Sequence, residues 1–270
     1  MSQGLDQYAG KLALVTGAAD GIGRMLAQGL ADARMKVCVA DIRNDAAQAA
    51  ADEIGGGAFA LSFDVSDRAA CFSAAEQLAE QGAALNLLWI NAGVGVGAPL
   101  IKGKPHTVEW AFGVNVLGAI WTAQAFRPLM EEASGLRHVG VTASSASLIP
   151  PEGDFPLYAT TKHGTFAVAE ALRGELAADG IGTTILCPGL LNTDIWDAAR
   201  ARPDRFGGER RMDPAISGPW REAKSPDVMW PHIERMIAAG GGYLTCATEP
   251  ETLARFRARA DAIAAGIVEM

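Results

Sequence analysis

The sequence predicts a doubly wound α/β fold: a parallel sheet of about seven strands with helices on both faces. Three observations carry that prediction. Short apolar runs alternate with helix-period stretches up to about residue 190, and such alternation builds parallel strands joined by crossover helices. The first run, residues 12–16 (LALVT), is followed at once by Gly17, Gly21 and Gly23 and then by a helical stretch, the context in which a turn and a helix N-terminus meet a phosphate. Gly17, Asp41, Asp64, Asn91, Ser145 and Pro188-Gly189 all fall at or just past strand ends, where ligands of open parallel sheets bind.

Taken in order, the helix after the glycines covers residues 22–34, and the second strand, 37–40, ends in Asp41. A carboxylate there suits the 2′- and 3′-hydroxyls of a ribose and repels a 2′-phosphate. Arg43, just beyond it, is placed to meet a 2′-phosphate instead. A helix over 45–54 and a strand over 58–63 lead to Asp64-Val65, a carboxylate and an amide within reach of an adenine edge. Ser66 and Asp67 mark a helix start, and the helix runs to Gln81. The apolar run 85–90 (LNLLWI) ends in Asn91-Ala92-Gly93, small residues that let the chain pass close to a flat ligand. One long helix is expected over 107–130, carrying Asn115 among apolar neighbours, where its amide needs a partner. Strands follow at 138–142, 182–187 and 242–246, with helices at 227–239 and about 250–266.

Composition narrows the function classes. The chain has 270 residues, 49% of them hydrophobic, and a formal charge of −8. That suffices for a large core and argues against a general nucleic-acid or anionic-membrane surface. Cys38, Cys71, Cys187 and Cys246 form no CxxC pair and read as free thiols; the four histidines show no metal spacing. The first residues lack the apolar core of a signal peptide, and no apolar run reaches a membrane span, so a cytoplasmic protein is expected.

The chemistry concentrates in residues 141–163. Tyr158 and Lys162 stand four apart at the start of a helical stretch, so a phenol and an ammonium share one helix face. A nearby ammonium favours the phenolate and lowers a pKa otherwise near about 10, which is a route to an acid/base working at neutral pH. Ser144 and Ser145 end the preceding strand, Ser145 thirteen residues before the tyrosine. A hydroxyl there can share a carbonyl or alcohol oxygen with the phenol.

Between 192 and 230 the alternation breaks into a segment rich in Pro, Gly, Arg and Trp, too long for an ordinary connection. Residues 194–225 read as a substrate lid within a single domain spanning 1–270. Arg200, Arg202, Arg205, Arg210 and Arg211 interleave with Asp194, Asp197, Asp204 and Glu209, and read as a solvated, self-paired surface. Pro203, Pro214 and Pro219 with Gly207 and Gly208 break any long helix, while Trp196, Phe206 and Trp220 need cover from a cleft or a neighbouring subunit. Val94, Val96, Leu148, Ile149, Phe155 and Trp196, with Phe206 or Trp220, are expected to line an apolar cleft.

With these residues in view, the chain resembles the short-chain dehydrogenase/reductase family over essentially its whole length. The matches are TGAADGIG at 16–23, Asp64-Val65, NAG at 91–93, Asn115, Ser145, YATTK at 158–162 and PGLLNT at 188–193. The resemblance implies a Rossmann-like fold, with Tyr158 as acid/base and Ser145 orienting the reacting oxygen. It implies that Lys162 lowers the tyrosine's pKa and binds a nicotinamide ribose, and that Asn115 supports a water relay to the lysine. Gly17, Asp20, Gly21, Ile22, Gly23, Asp41, Asp64, Val65, Asn91, Ala92, Gly93, Pro188, Gly189, Leu191 and Thr193 would join Tyr158 and Lys162 in holding the dinucleotide. Asp20 and Asp41 are acidic where NADP-preferring relatives carry a basic residue, so NAD is the expected cofactor. The expected reaction interconverts a secondary alcohol, bulky and apolar or aromatic, and its ketone. A steroid, acyl-thioester or diol substrate is the alternative, and a non-catalytic dinucleotide sensor is another. A homotetramer or homodimer built on helices 107–130 and 158–179 is expected by the same likeness. Ile90 departs from the family's usual asparagine, and the C-terminal segment lacks its glycine-rich ending. That segment and the lid are loosely similar to bacterial Cα-dehydrogenases of lignin-derived aryl ethers.

Overall fold

The computed structural model describes residues 4–151, 155–211, 218–246 and 250–265. Seven strands form one parallel sheet: β1 (Leu12–Thr16), β2 (Lys36–Asp41), β3 (Phe59–Ser62), β4 (Leu85–Ile90), β5 (His138–Thr142), β6 (Gly182–Pro188) and β7 (Gly241–Cys246). Their order is β3-β2-β1-β4-β5-β6-β7, and every pairing is parallel. The order reverses between β1 and β4, so the loops after these two strands diverge and leave a crevice at the carboxyl edge.

The helices are α1 (Gly21–Asp32), α2 (Asn44–Ile54), α3 (Arg68–Glu80), α4 (Pro105–Phe112), α5 (Gly118–Glu131), α6 (Pro156–Ala177), the short α7 (Gly218–Arg221), α8 (Trp230–Ala238) and α9 (Pro250–Ala265). They cover the sheet from both sides, and each face has its own apolar core. On one, Leu88 and Ile90 meet Trp110, Phe126 and Met130; on the other, Leu87 and Trp89 meet Leu26, Leu30 and Ile233. Successive residues of β4 therefore serve opposite cores, which is why a strand buried on both faces reads as an unbroken apolar run. Ile90, the departure from the family pattern, is 4% exposed and simply fills the first core. Two glycines admit large rings: a Cβ at Gly140 would fall 2.3 Å from the Trp89 ring, and one at Gly29 would fall 2.2 Å from Trp230.

The expected single helix over 107–130 is broken. Between α4 and α5 the residues Gly113–Leu117 adopt a π-helical turn centred on Asn115. The wider turn frees the Asn115 carbonyl, which accepts Thr165 Oγ1 of α6 at 2.7 Å. A local loss in the helix ladder is thus repaid by a bond between helices, the usual basis of such insertions near functional sites. Cys38, Cys71 and Cys187 are buried free thiols; the side chain of Cys246 lies outside the described residues. His138 is wholly buried at the start of β5 and hydrogen-bonded to Thr184 Oγ1 at 2.9 Å.

Candidate active site

The floor of the crevice is made of backbone. Thr16, the last residue of β1, turns its hydroxyl sideways to accept the amides of Asn91 at 2.9 Å and Ala92 at 3.0 Å. Asn91 Nδ2 returns a bond to the Thr16 carbonyl at 3.0 Å. These bonds clamp the loop after β4 against the glycine-rich turn, with no room for side chains. A Cβ at Gly17, whose φ is +62°, would stand 2.9 Å from Ala92 Cα, and one at Gly23 would stand 2.0 Å from the Gly17 carbonyl oxygen. Asp20 caps α1, its carboxylate accepting the Gly21 amide at 2.9 Å. The turn is shaped to let a phosphate approach main-chain amides, so these residues could hold a dinucleotide's diphosphate.

Past the end of β2, Asp41 is 8% exposed and accepts the Ala19 amide at 3.3 Å. Its other oxygen takes the Arg43 amide at 3.0 Å and the Arg43 Nε at 3.3 Å. Arg43 also reaches to 3.8 Å from Asp20. The Asp64 carboxylate accepts the Ser66 amide and hydroxyl at 2.8 and 2.6 Å and the Arg205 guanidinium at 2.6 Å.

At the other end, α6 starts at Pro156, a residue suited to a helix's first turn, and lays Tyr158 and Lys162 along the cleft. Lys162 is 2% exposed and donates to the Thr142 carbonyl at 3.1 Å. Thr142 is held in turn, its hydroxyl accepting Trp89 Nε1 at 2.9 Å. Asn115 finds the partners its setting demands: Oδ1 accepts the Val94 amide at 2.8 Å, while Nδ2 donates to the Val94 carbonyl at 3.0 Å and to Thr161 Oγ1 at 2.8 Å. Gly93 passes between Lys162 and Asn115, where a Cβ would lie 3.2 Å from the ammonium.

Burial moves both titratable groups. It pushes the Tyr158 phenol above its ordinary value, and a hydrogen bond with Ser144 draws it partly back. It lowers Lys162 to about 8, with Cys187 acting weakly in the other direction. The sequence led to a phenol lowered by Lys162. In the folded chain desolvation dominates instead, and the ammonium spends a bond on the Thr142 carbonyl. Ser144 is the hydroxyl that offsets the rise in part. Ser145 lines the cleft beside it and opens a short 3-10 turn.

The roof is the strap after β6. Residues Asp194–Ala201 and Asp204–Phe206 form 3-10 turns with no buried residue, while 212–217, including Pro214, lie outside the described residues. Trp196 stands over Tyr158 with ring centres 5.1 Å apart, against Phe155 at 4.2 Å and Trp220 at 5.1 Å. Val94 and Ile149 complete this apolar wall. Of the alternatives Phe206 and Trp220, Trp220 lines the cleft and Phe206 packs against the core beside Gly113, while Val96 and Leu148, also expected in the lining, belong to that core, and Phe155 stands behind Trp196. The strap arginines are not the self-paired surface expected. Arg200 does approach Asp194 and Asp197, at 3.8 and 3.6 Å, but its shortest bond is to Asp20 at 2.7 Å. Arg205 pairs with Asp64 at 2.6 Å. Arg202 is 5% exposed over the Trp110 ring and donates to the His106 carbonyl and Thr107 hydroxyl, both at 3.1 Å. Charge alternation along a segment suggests local pairing, but these partners are set by what the strap crosses.

The resulting cleft has a volume of about 470 Å³. It brings together the sequence-predicted Gly17, Asp20, Gly21, Ile22, Asp41, Asp64, Val65, Asn91, Ala92, Gly93, Ser145, Tyr158, Lys162, Pro188, Gly189, Leu191 and Thr193. Gly23 and Asn115 stand behind the lining, supporting it. Sequence reasoning missed Thr16, Thr142 and Arg200, and also Thr252, which α9 contributes to the rim. Thr16 opens the TGAADGIG motif and Thr142 ends the fifth strand, but nothing in the local spacing of Arg200 or Thr252 marks them.

Known proteins resemble this chain in fold or sequence. A short chain dehydrogenase/reductase of Burkholderia phymatum, solved in complex with NAD, is 30% identical with a TM-score of 0.85, covering 97% of each chain. LigD of Sphingobium sp. strain SYK-6, in its apo form, is 23% identical with a TM-score of 0.76 over 97% of this chain and 100% of its own, and shares the fold. Estradiol 17-beta-dehydrogenase 11 of Mus musculus is 33% identical over 192 residues, which are 68% of this chain and 63% of that protein's length, so the match leaves over a third of it unspanned. The short chain dehydrogenase profile matches residues 11–204, the stretch holding the glycine-rich turn, the Tyr158–Lys162 face and the strap's start, and with it the chain belongs to the short-chain dehydrogenase/reductase family of oxidoreductases.

Proposed function

We propose that the chain is an NAD-dependent dehydrogenase that interconverts a bulky apolar or aromatic secondary alcohol and its ketone. The observation that carries this reading is Tyr158, half-buried one helical turn before Lys162 on the lining of a cleft, with Trp196 over its ring, Trp220 beside Trp196 and Phe155 packed behind. A nicotinamide dinucleotide, when bound, supplies the hydride chemistry. Tyr158 holds and moves the proton at the substrate oxygen, and Ser145 with Ser144 orients that oxygen. Lys162 anchors a ribose and favours the phenolate once its ammonium faces the phenol. Asn115 keeps the Val94 and Thr161 segments in register behind them. Trp196 and its neighbours exclude water and offer a flat apolar surface. The name of the mouse relative, an estradiol dehydrogenase, fits an alcohol on a large apolar body.

Asp41 and Asp20 support NAD over NADP. A 2′-phosphate a few ångströms from a carboxylate is repelled by roughly 1–4 kcal/mol, or about five-fold to several-hundred-fold in preference. Arg43 is already engaged by Asp41 and Asp20, which limits its use as a phosphate ligand. Residues 194–225 act as the substrate lid of a single catalytic domain, in a cytoplasmic homotetramer or homodimer. The experiment is NADH formation, and NADPH formation in parallel, on a panel of aryl, steroid and short aliphatic secondary alcohols. Turnover of aryl or steroid alcohols with NAD is expected. Absence of turnover across the panel with either cofactor would favour the sensor reading, and equal kcat/KM for the two cofactors would overturn the preference.

A further inference from the structure

Arg200 stands where the strap crosses the glycine-rich turn. Its Nη2 donates to Asp20 Oδ2 at 2.7 Å, while Asp20 Oδ1 accepts the Gly21 amide at 2.9 Å. The guanidinium is therefore one carboxylate away from the first amide of α1. Its Nη1 donates to the Asp194 carbonyl at 3.2 Å, and the side chain is 19% exposed at the edge of the cleft. Among the described residues the cleft is lined by three cations: Arg43, Lys162 and Arg200. Arg43 is held at the Asp41 end and Lys162 under Thr142. Arg43 also reaches to 3.8 Å from Asp20, but Arg200, at 2.7 Å, is the cation hydrogen-bonded to the turn.

Three carboxylates, Asp20, Asp194 and Asp197, surround this one guanidinium. A diphosphate laid on α1's N-terminus brings further negative charge to the same place. Backbone amides and the helix dipole favour it, but Asp20 and Asp194 oppose it unless a cation stands between. A guanidinium has five N–H donors in a fixed fork, so it can keep one carboxylate and still meet a phosphate oxygen.

We propose that Arg200 is a cofactor-binding residue supplied by the strap, its guanidinium taking the diphosphate of the dinucleotide while Asp20 steadies it. This rests on the nicotinamide-dinucleotide reading above and adds a contact that comes from the roof rather than the floor. Trp196 belongs to the same 3-10 stretch, Asp194–Ala201, and stands over Tyr158. Seating Arg200 on a diphosphate therefore also fixes the aromatic wall over the reacting tyrosine, so an occupied cofactor site prepares the substrate site.

Isothermal titration of the full chain with NADH, ADP-ribose and adenosine tests this without relying on turnover. Arg200→Gln is expected to weaken NADH and ADP-ribose together by about tenfold or more, the size of a charged hydrogen bond, and to leave adenosine unchanged. Arg200→Lys, which keeps the charge and loses the fork, is expected to recover part of the loss. Arg200→Gln binding NADH and ADP-ribose within about twofold of wild type overturns the proposal, because Arg200 is then only a tie to Asp20. Equal weakening of adenosine overturns it too, since the strap would merely be supporting the floor. Wild-type chain that binds neither NADH nor ADP-ribose overturns the dinucleotide reading itself, and this proposal with it.

Discussion

The floor and the roof of the cleft are built by different physics. Backbone shapes the floor: Gly17 at φ +62°, the Thr16 hydroxyl holding two amides, Asn115 bonded to both polar groups of Val94. Its bonds are buried or part-buried and lie at the ends of strands buried on both faces. The roof, residues 194–206, has no buried side chain in its two 3-10 turns apart from what Arg202 tucks between them. It is held by part-exposed ion pairs, each worth about 0–1 kcal/mol, and by ring contacts worth about 0.5–1.5 kcal/mol. The floor is fixed by main chain, while the roof is held by side-chain contacts that can be broken one at a time.

The largest effect expected is on chemistry alone. Tyr158→Phe removes one hydroxyl from a ring that still packs on Trp196, so turnover falls by about a hundredfold to ten-thousandfold while NADH affinity holds. Steady-state rates within about tenfold of wild type would sink the acid/base role. Next comes the contrast between floor and roof. Gly23→Ala places a Cβ 2.0 Å from the Gly17 carbonyl oxygen, and because that neighbour is backbone the turn must shift. NADH affinity should drop by about tenfold or more, read by titration. Trp196→Ala should leave NADH affinity nearly intact and raise KM for an aryl alcohol by about tenfold. If the two variants lose cofactor affinity equally, the roof is as much a part of the cofactor framework as the floor.

A smaller effect separates the two by pH. Burial lowers His138 to about 4 from an ordinary 6.5, so between those values the unfolded chain binds a proton that the folded chain refuses. Stability is therefore complete above about pH 6.5 and drains as pH falls, by roughly 3 kcal/mol at pH 4. His138 lies in β5, so the loss is global and appears as a falling Tm. His138→Gln should flatten the Tm profile between pH 6.5 and 4.5; a wild-type-like slope would show that other groups govern acid sensitivity. The smallest effect is on the roof by itself. Raising salt to about 1 M screens part-exposed ion pairs and should speed hydrogen exchange across residues 194–206 without altering protection of β1 or β4. Equal loss of protection in both regions would mean that roof and floor open together.

Much of this molecule is written locally. The apolar runs of β1 and β4, the glycines after β1 and the four-residue step from Tyr158 to Lys162 each answer to a requirement met within a few residues: burial on two faces, a positive φ, a shared helix face. Hence the seven strands, their parallel sense and the Tyr158–Lys162 face of α6 follow from the amino-acid order alone. The π-helical turn at Asn115 was not legible, because it exists to reach Thr165 across a helix boundary. Phe206 is as apolar as Trp196, and only the fold decides that one enters the core while the other roofs the cleft. Arg200 and Asp20 are 180 residues apart. Their pairing needs the strap after β6 to cross the turn after β1, and that is a consequence of strand order, in which residues distant along the chain become neighbours only once the sheet has closed its crevice between β1 and β4.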